Sequence, residues 1–274
     1  MKANATIRKG AKVRISEIYG SLQGEGLLTG TPSTFVRTSG CNLRCWFCDT
    51  RFASWHPEGE QWSIEQIVER VVEIGLDHVV LTGGEPMIYN CLPELCDKLS
   101  AAGMHITIET AGTVQHDLNC DLMSISPKLS RSGPGHMKAS APTASSANPD
   151  SETEAVGSEA LLARSWQATH DARREKLDIV RQLMSRHSYQ LKFVVDCQSD
   201  ADEVLDYLDR LQDGSAGAVG SGAWSGDRVL IMPQGTTADQ LDRQAEWLLP
   251  WCQEHKLRFC PRAHIHWFGN QRGT

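Results

Sequence analysis

The run Thr34-Phe-Val-Arg37-Thr-Ser-Gly-Cys41-Asn-Leu-Arg-Cys45-Trp-Phe-Cys48-Asp-Thr50 decides how the rest of the chain is read. Residues 34–37 are β-branched and aromatic enough for a short strand. Three cysteines, Cys41, Cys45 and Cys48, follow on one short loop at its carboxyl end. A cubane iron–sulfur cluster ordinarily takes four cysteine thiolates, so a compact set of three leaves one iron open to a small molecule. A structural zinc site would want a fourth Cys or His at tetrahedral spacing. His56 is the nearest candidate, and its setting, Ser54-Trp-His-Pro57, brings no second ligand pair. A ferredoxin-like carrier would also want a fourth clustered cysteine, whereas the next is Cys91, beyond a predicted helix and strand.

Working outward, apolar or β-branched runs at 34–37, 78–81, 105–108, 122–125, 190–195 and 228–232 alternate with helical patterns. Such alternation predicts parallel βα units. Residues 63–75 space apolar side chains as a helix does, behind a Ser63 cap, with Glu65 near the start and Gly75 as a stop. Further helices are expected at 93–99, 200–211 and 237–251, and a last strand at 259–267. The expected fold class is α/β: a single domain over residues 1–274, built as an incomplete (β/α) barrel of about six parallel strands. Residues 130–165 break the rhythm, being rich in Ser, Ala, Gly, Pro and acidic residues with almost no large apolar side chains. That composition predicts a disordered, solvated insertion with no part in a site. The Gly-rich stretch 213–226 reads as a second, shorter loop.

A chain of 274 residues with 40% hydrophobic content can bury one substantial core. Its formal charge of -7 and scattered basic residues leave no electrostatic footprint for a nucleic-acid backbone. No apolar run approaches the roughly 20 residues of a membrane helix. The start, MKANATIRKGAKVRI, lacks the apolar stretch of a signal peptide, so a cytoplasmic location is expected. Nine cysteines in a reducing compartment serve metals or catalysis more often than disulfides. Cys91, Cys96, Cys120, Cys197, Cys252 and Cys260 are dispersed among apolar neighbours and read as small buried hydrophobes.

A second constellation, Thr82-Gly83-Gly84-Glu85-Pro86, follows the strand that ends at residue 81. Glycines there let backbone approach a ligand, Glu85 offers an acceptor for an ammonium group, and α/β folds place ligands at the carboxyl ends of strands. A plain tight turn would look the same. Ser126-Pro127-Lys128 and Pro233-Gln234-Gly235 stand at two further strand ends and bring a hydroxyl, an ammonium and an amide there, though in isolation both read as ordinary turns. Glu109, at the end of another strand, is a candidate ribose acceptor or simply an exposed carboxylate.

The Cys41-x3-Cys45-x2-Cys48 loop, with aromatic Phe47 before the last cysteine, resembles the signature of radical S-adenosylmethionine (SAM) enzymes. The resemblance implies a 4Fe-4S cluster whose open iron is chelated by SAM, with Phe47 against the adenine and Cys48 and Asp49 as neighbouring contacts. Beside that loop, Gly83, Gly84 and Glu85 resemble the superfamily's motif for the methionine amino group, and the resemblance implies that Ser126, Pro127, Lys128 and Gln234 meet the ribose, carboxylate and adenine of SAM. The stretch Ile15-Ser-Glu-Ile-Tyr-Gly-Ser-Leu22-Gln23-Gly24-Glu25-Gly26, together with Phe35-Val-Arg37, Cys48-Asp49-Thr50 and Arg262-Ala-His264, resembles the 7-carboxy-7-deazaguanine synthase family. That family converts 6-carboxy-5,6,7,8-tetrahydropterin into 7-carboxy-7-deazaguanine by a ring contraction that releases ammonia, on the route to queuosine. The resemblance implies that Leu22, Gln23, Gly24 and Glu25 read the pterin edge, Arg37 holds its carboxylate, and Thr82 adds a hydroxyl. It further implies that Thr50 coordinates Mg2+, where it would otherwise read as a helix cap, and that His264 and the tail to Thr274 close on the substrate. A homodimer and an electron donor such as flavodoxin or ferredoxin are implied in the same way.

Two other readings stay open on the sequence. A glycyl-radical activating enzyme shares the cysteine spacing but acts on a protein, and neither the Gln23-Gly-Glu-Gly26 turn nor Arg37 suits it. A non-catalytic metal-binding or electron-transfer module would carry a fourth clustered ligand and need no Gly-Gly-Glu-Pro.

Overall fold

The structure is a computed structural model that describes residues 10–137, 149–213 and 224–274. In chain order it runs β1 (Lys12–Leu22), β2 (Pro32–Thr38), α1 (Arg51–Ser54), β3 (Glu60–Ser63), α2 (Ile64–Ile74) and β4 (His78–Gly83). Then come α3 (Leu92–Ala101), β5 (His105–Thr110), β6 (Leu122–Ile125), α4 (Pro149–Arg174), α5 (Leu177–Arg186) and β7 (Tyr189–Val195). The chain closes with α6 (Gln198–Asp213), β8 (Val229–Pro233), α7 (Ala238–Glu254), β9 (Arg258–Phe259) and α8 (Ala263–Phe268).

Among the described residues, nine strands form one sheet in the order β3-β1-β2-β4-β5-β6-β7-β8-β9. From β2 through β9 every neighbouring pair is parallel. β1 pairs antiparallel with both β2 and β3. The sheet ends on β3 and β9 without closing, which is the incomplete barrel that the alternating pattern predicts.

The six strands expected of the parallel sheet are present, and β1 and β3 add to them. β1 escaped the period-2 reading because only Val13 and Ile15 of its length are buried apolar positions, while Glu17 and Tyr19 turn polar groups to the other face. The strand expected at 259–267 is corrected: pairing stops at Phe259, and Ala263–Phe268 is the helix α8.

The insertion also differs from its expectation. Pro149–Arg174 is one helix of 26 residues, and residues 130–137 form two short 3-10 turns. Positions 138–148 of that stretch, and 214–223 of the Gly-rich loop, lie outside the described residues.

The core lies between the sheet and its crossover helices. Ile67 and Val71 of α2, Leu95 and Leu99 of α3, Val204 and Leu208 of α6 and Leu248 of α7 are buried with Val79, Leu81, Ile106, Ile108, Leu191, Phe193 and Ile231 of the strands. Cys96 and Cys252 belong to this core, with Cys91 and Cys120 against it, as small hydrophobes. Cys260 does more, accepting a hydrogen bond from the Gly26 amide at 3.2 Å, and Cys197 lies beside the Ser199 hydroxyl.

The start of α2 follows directly from its sequence. The Ser63 hydroxyl accepts from the Gln66 amide at 3.3 Å while the Gln66 side chain accepts from the Ser63 amide at 2.9 Å, a reciprocal capping box. Replacing Ser63 with Ala is expected to cost about 1 kcal/mol in stability, read from denaturant unfolding, without altering the absorption of the metal-loaded protein.

Candidate active site

Alternate residues along each parallel strand face opposite sides of a sheet. Val36, Leu81, Ile108, Ile125, Phe193 and Ile231 take the helix-covered side. Arg37 of β2, Thr82 of β4, Glu109 of β5, Ser124 of β6, Lys192 of β7 and Met232 of β8 take the other and line one cavity of about 440 Å³. One cavity touched by so many successive strands requires the sheet to curve around it.

The cluster loop covers the carboxyl end of β2. Cys41, Cys45 and Cys48 line the cavity, packed with Leu43, Phe47 and Ala111. Burial raises all three thiol pKa values, that of Cys41 to about 12. For Cys41 the neighbouring Glu85 adds to the rise, and for Cys48 Asp49 does. Thiols in such a place become thiolates only against a strong positive charge, which bound metal provides. Among the described residues no three His, Cys, Asp or Glu side chains converge on a single-ion site. Exposed His56 does not line the cavity.

Gly83 and Gly84 are required by backbone crowding. Gly83 has φ +136°, and a Cβ there would stand 2.1 Å from the Thr38 carbonyl oxygen; one on Gly84 would stand 2.0 Å from that of Gly40. The Gly84 and Glu85 amides donate to those same carbonyls at 3.0 and 2.9 Å, locking this turn under the cluster loop. Both glycines still line the cavity. Glu85 does not line the cavity: it is 1% exposed and its carboxylate accepts from Met87 N, Thr110 Oγ1 and Ala111 N at 3.1, 2.8 and 2.7 Å. It ties the ends of β4 and β5 together.

A chain of opposite charges crosses the cavity. Glu109 accepts from the Thr82 hydroxyl at 2.8 Å and from Lys192 Nζ at 2.7 Å. Lys192 donates also to Glu25 at 3.0 Å, and Glu25 accepts from Arg262 Nε at 3.0 Å. Arg262 continues to Asp49 and to the Gly235 carbonyl. Burial works to raise the Glu25 pKa, but Lys192, Arg262 and His264 outweigh it and hold the carboxyl far below its usual range. Burial works to lower that of Lys192, yet Glu109 and Glu25 keep it firmly protonated. On the facing wall Arg37 donates to Glu17 at 2.7 Å and to the Tyr19 hydroxyl at 2.9 Å.

A model of the radical SAM superfamily matches residues 35–128, from β2 through the cluster loop to Lys128. A 7-carboxy-7-deazaguanine synthase of Rhodopirellula baltica is 43% identical over 261 residues, covering 95% of this chain and 88% of that protein. The chain belongs to the 7-carboxy-7-deazaguanine synthase family. The protein of that name from Halobacterium salinarum is 40% identical over 257 residues, covering 93% of this chain and 90% of its own. A crystal structure of QueE from Escherichia coli superposes with a TM-score of 0.58 over 92% of this chain and 95% of that one. At 21% identity, that likeness concerns the fold.

In this 7-carboxy-7-deazaguanine synthase family member, the cavity brings together most of the residues expected from the sequence. Leu22, Gln23, Gly24, Glu25, Phe47, Asp49, Thr50, Ser126, Lys128, Gln234, His264 and Thr274 all line it. Pro127 is buried and does not. The Gln23 amide is spent inside the protein, donating to Ser33 Oγ at 2.9 Å. Thr50 stands at the N-cap of α1, but its hydroxyl makes no capping bond and lies 3.8 Å from Cys48 Sγ. Lys128 donates to Ser126 Oγ at 2.8 Å, and Thr274 Oγ1 donates to the Gln271 carbonyl at 2.9 Å.

Lys192 was missed by the sequence reading, and Arg262 appeared there without a role. A signal existed for Lys192: in Tyr189–Val195, Gln190 and Lys192 are polar residues two apart on one face of an otherwise apolar strand. Lys192→Met leaves Glu25 and Glu109 without their shared cation. The unfolding free energy of the metal-free protein is expected to fall by about 3 kcal/mol, and an unchanged denaturation midpoint would discount the charge chain.

Proposed function

We propose that this chain contracts the ring of 6-carboxy-5,6,7,8-tetrahydropterin to form 7-carboxy-7-deazaguanine with loss of ammonia, in queuosine and related 7-deazapurine biosynthesis. The observation that carries the reading is one cavity lined at once by three cluster-type thiols, the ionised Glu25 and the guanidinium of Arg37. A pterin presents an edge of N–H donors and, in this substrate, a carboxylate. A carboxylate acceptor and a guanidinium fork are their chemical complements.

The family carries a 4Fe-4S cluster and SAM. When bound, they supply abstraction of hydrogen from C6 of the pterin and its later return. The protein's own part is to bind, orient and exclude water. Cys41, Cys45 and Cys48 hold the cluster. Phe47 would offer its ring to adenine, and the backbone at Gly83 and Gly84 would hold the methionine amino group. Ser126, Lys128 and Gln234, which line the same cavity, would meet the remaining polar groups of SAM. Glu109 lines the cavity at the end of β5, where it accepts from Thr82 and Lys192 and would offer an acceptor to ribose.

Thr50 is the residue for Mg2+, which favours oxygen ligands and keeps waters or substrate oxygens in most positions. Its uncapped hydroxyl supports that reading. Arg37 keeps Nη1 without a protein partner among the described residues, which supports its use on the substrate carboxylate. His264 and the tail at Thr274 close the far side. A cytoplasmic homodimer supplied with electrons by flavodoxin or ferredoxin completes the reading. Among the described residues no helix is long and apolar enough to cross a membrane.

Cys45→Ala is expected to abolish the brown chromophore and all SAM cleavage, read from iron content and methionine release under anaerobic conditions. Arg37→Ala is expected to lower kcat/KM for the pterin roughly thirty-fold to several thousand-fold while iron content and SAM binding persist. An unchanged pterin specificity constant at saturating SAM would remove Arg37 from the substrate site.

A further inference from the structure

Residues 130–165, whose composition predicted no role, meet the cluster loop through the described parts of their flanks. Both flanks grip the loop. From the turns after β6, the Ser132 carbonyl accepts from the Trp46 amide at 3.1 Å and the Arg131 carbonyl accepts from Trp46 Nε1 at 2.8 Å. From the last turns of α4, His170 Nδ1 accepts from the Arg44 amide at 3.1 Å. The Arg44 guanidinium lies 4.1 Å from the centre of the Trp166 ring and also donates to the Cys41 and Leu43 carbonyls at 2.9 and 2.7 Å. Arg173 reaches the Asn42 carbonyl at 3.4 Å.

His170 is the joint of this arrangement. It is 0% exposed, and both ring nitrogens are engaged. Because an amide N–H can only donate, Nδ1 must be the unprotonated nitrogen. Nε2 then carries the hydrogen and donates to Ser132 Oγ at 3.0 Å, and that hydroxyl donates to the Leu129 carbonyl at 2.6 Å. The relay has one direction and no spare partner: Arg44 amide to His170, His170 to Ser132, Ser132 to Leu129. Burial pushes the His170 pKa down to about 4, which agrees with a neutral ring.

We propose that His170 is a positioning residue for the cluster loop, and that the carboxyl-terminal turns of α4 form a clamp holding Arg44 and Trp46 so that the three-cysteine cluster is retained and shielded. Arg44 and Trp46 flank Cys45, so fixing their amides fixes the middle thiol between them. Trp166 stacked on Arg44 covers the loop from outside and keeps a cation beside the thiolates. Net charge, solvent exposure and hydrogen bonding near the sulfurs are the levers by which a protein tunes and protects an iron–sulfur cluster. The proposal rests on the chain carrying a cluster, as its family does.

The test uses His170→Ala, His170→Asn and His170→Gln in the full chain. The asparagine carbonyl falls where Nδ1 was and can still accept from the Arg44 amide, whereas the glutamine amide reaches only toward Ser132. In the metal-free protein, hydrogen exchange over residues 41–48 is expected to rise about tenfold in His170→Ala and His170→Gln, the scale of one lost buried hydrogen bond, and to stay near wild type in His170→Asn. After anaerobic reconstitution, bleaching of the chromophore by a chelator or by oxygen is expected to follow the same order. Equal bleaching in all three variants overturns the proposal, whether or not exchange changes. So does failure of asparagine to rescue. If His170→Ala does not fold, the asparagine and glutamine pair decides by the same criterion. Wild-type protein that binds no iron would instead overturn the assignment of a cluster, a separate and visible failure.

Discussion

Lys192 holds the cavity together. Its ammonium, 4% exposed, stands between the carboxylates of Glu25 and Glu109, and removing such a cation from water costs several kcal/mol unless opposite charge meets it at close range. Glu25 in turn meets Arg262, and Arg262 meets Asp49. The alternation of charge sets five separate pieces of chain against one another: the turn after β1, the end of β5, the middle of β7, the segment after β9 and the cluster loop. Each charge is tolerable only because the next is in place, so the walls of the cavity are set by the protein itself. The same alternation keeps Glu25 a carboxylate, which is the form that can accept from a donor-rich ring edge.

The sheet makes room for so much charge by dividing its two faces. The side under the helices is an apolar core in which Val79, Leu81, Ile106, Ile108, Leu191, Phe193 and Ile231 are buried. The other side carries Arg37, Thr82, Glu109, Ser124 and Lys192. Hydrophobic burial on one face stabilises the scaffold that holds the other in a costly arrangement, and the turns at the strand ends join the two. Glu85 illustrates the division of labour. It stands in the motif most suggestive of ligand binding, yet its carboxylate is consumed by Thr110, Ala111 and Met87, leaving backbone at the cavity wall.

Residues 130–165 show where composition misleads. Ser, Ala, Gly and acidic residues dominate, and no internal core can form from them. The side chains that matter, Ser132, Trp166, His170 and Arg173, sit at the edges of the stretch or just past it, and each makes its contact on the cluster loop or with a partner that does. A segment without a core of its own is ordered at its ends by another part of the molecule, which an average over its own residues does not register.

What the sequence determined by itself was local: the spacing of Cys41, Cys45 and Cys48, the Gly83-Gly84 turn, the Ser63 cap of α2, and the strand and helix periods that make an α/β sheet. These are legible because the order of residue types along the chain carries them, even where the partner is distant, as the Thr38 and Gly40 carbonyls are from Gly83 and Gly84. The expected strand at 259–267 failed because strand pairing is a relation between distant segments: β8 runs on to Pro233, but the chain leaves it after Cys260 donates to the Ile231 carbonyl, where Pro261 has no amide hydrogen to continue the ladder. The tertiary structure alone decided that Lys192 meets Glu25 across 167 residues, that Arg262 meets Asp49 across 213, and that His170 meets Arg44 across 126. A lysine in a strand or a histidine in a polar helix has no sequence mark naming its partner, because its ionisation and hydrogen bonding depend on the low-dielectric neighbourhood that only the folded chain assembles.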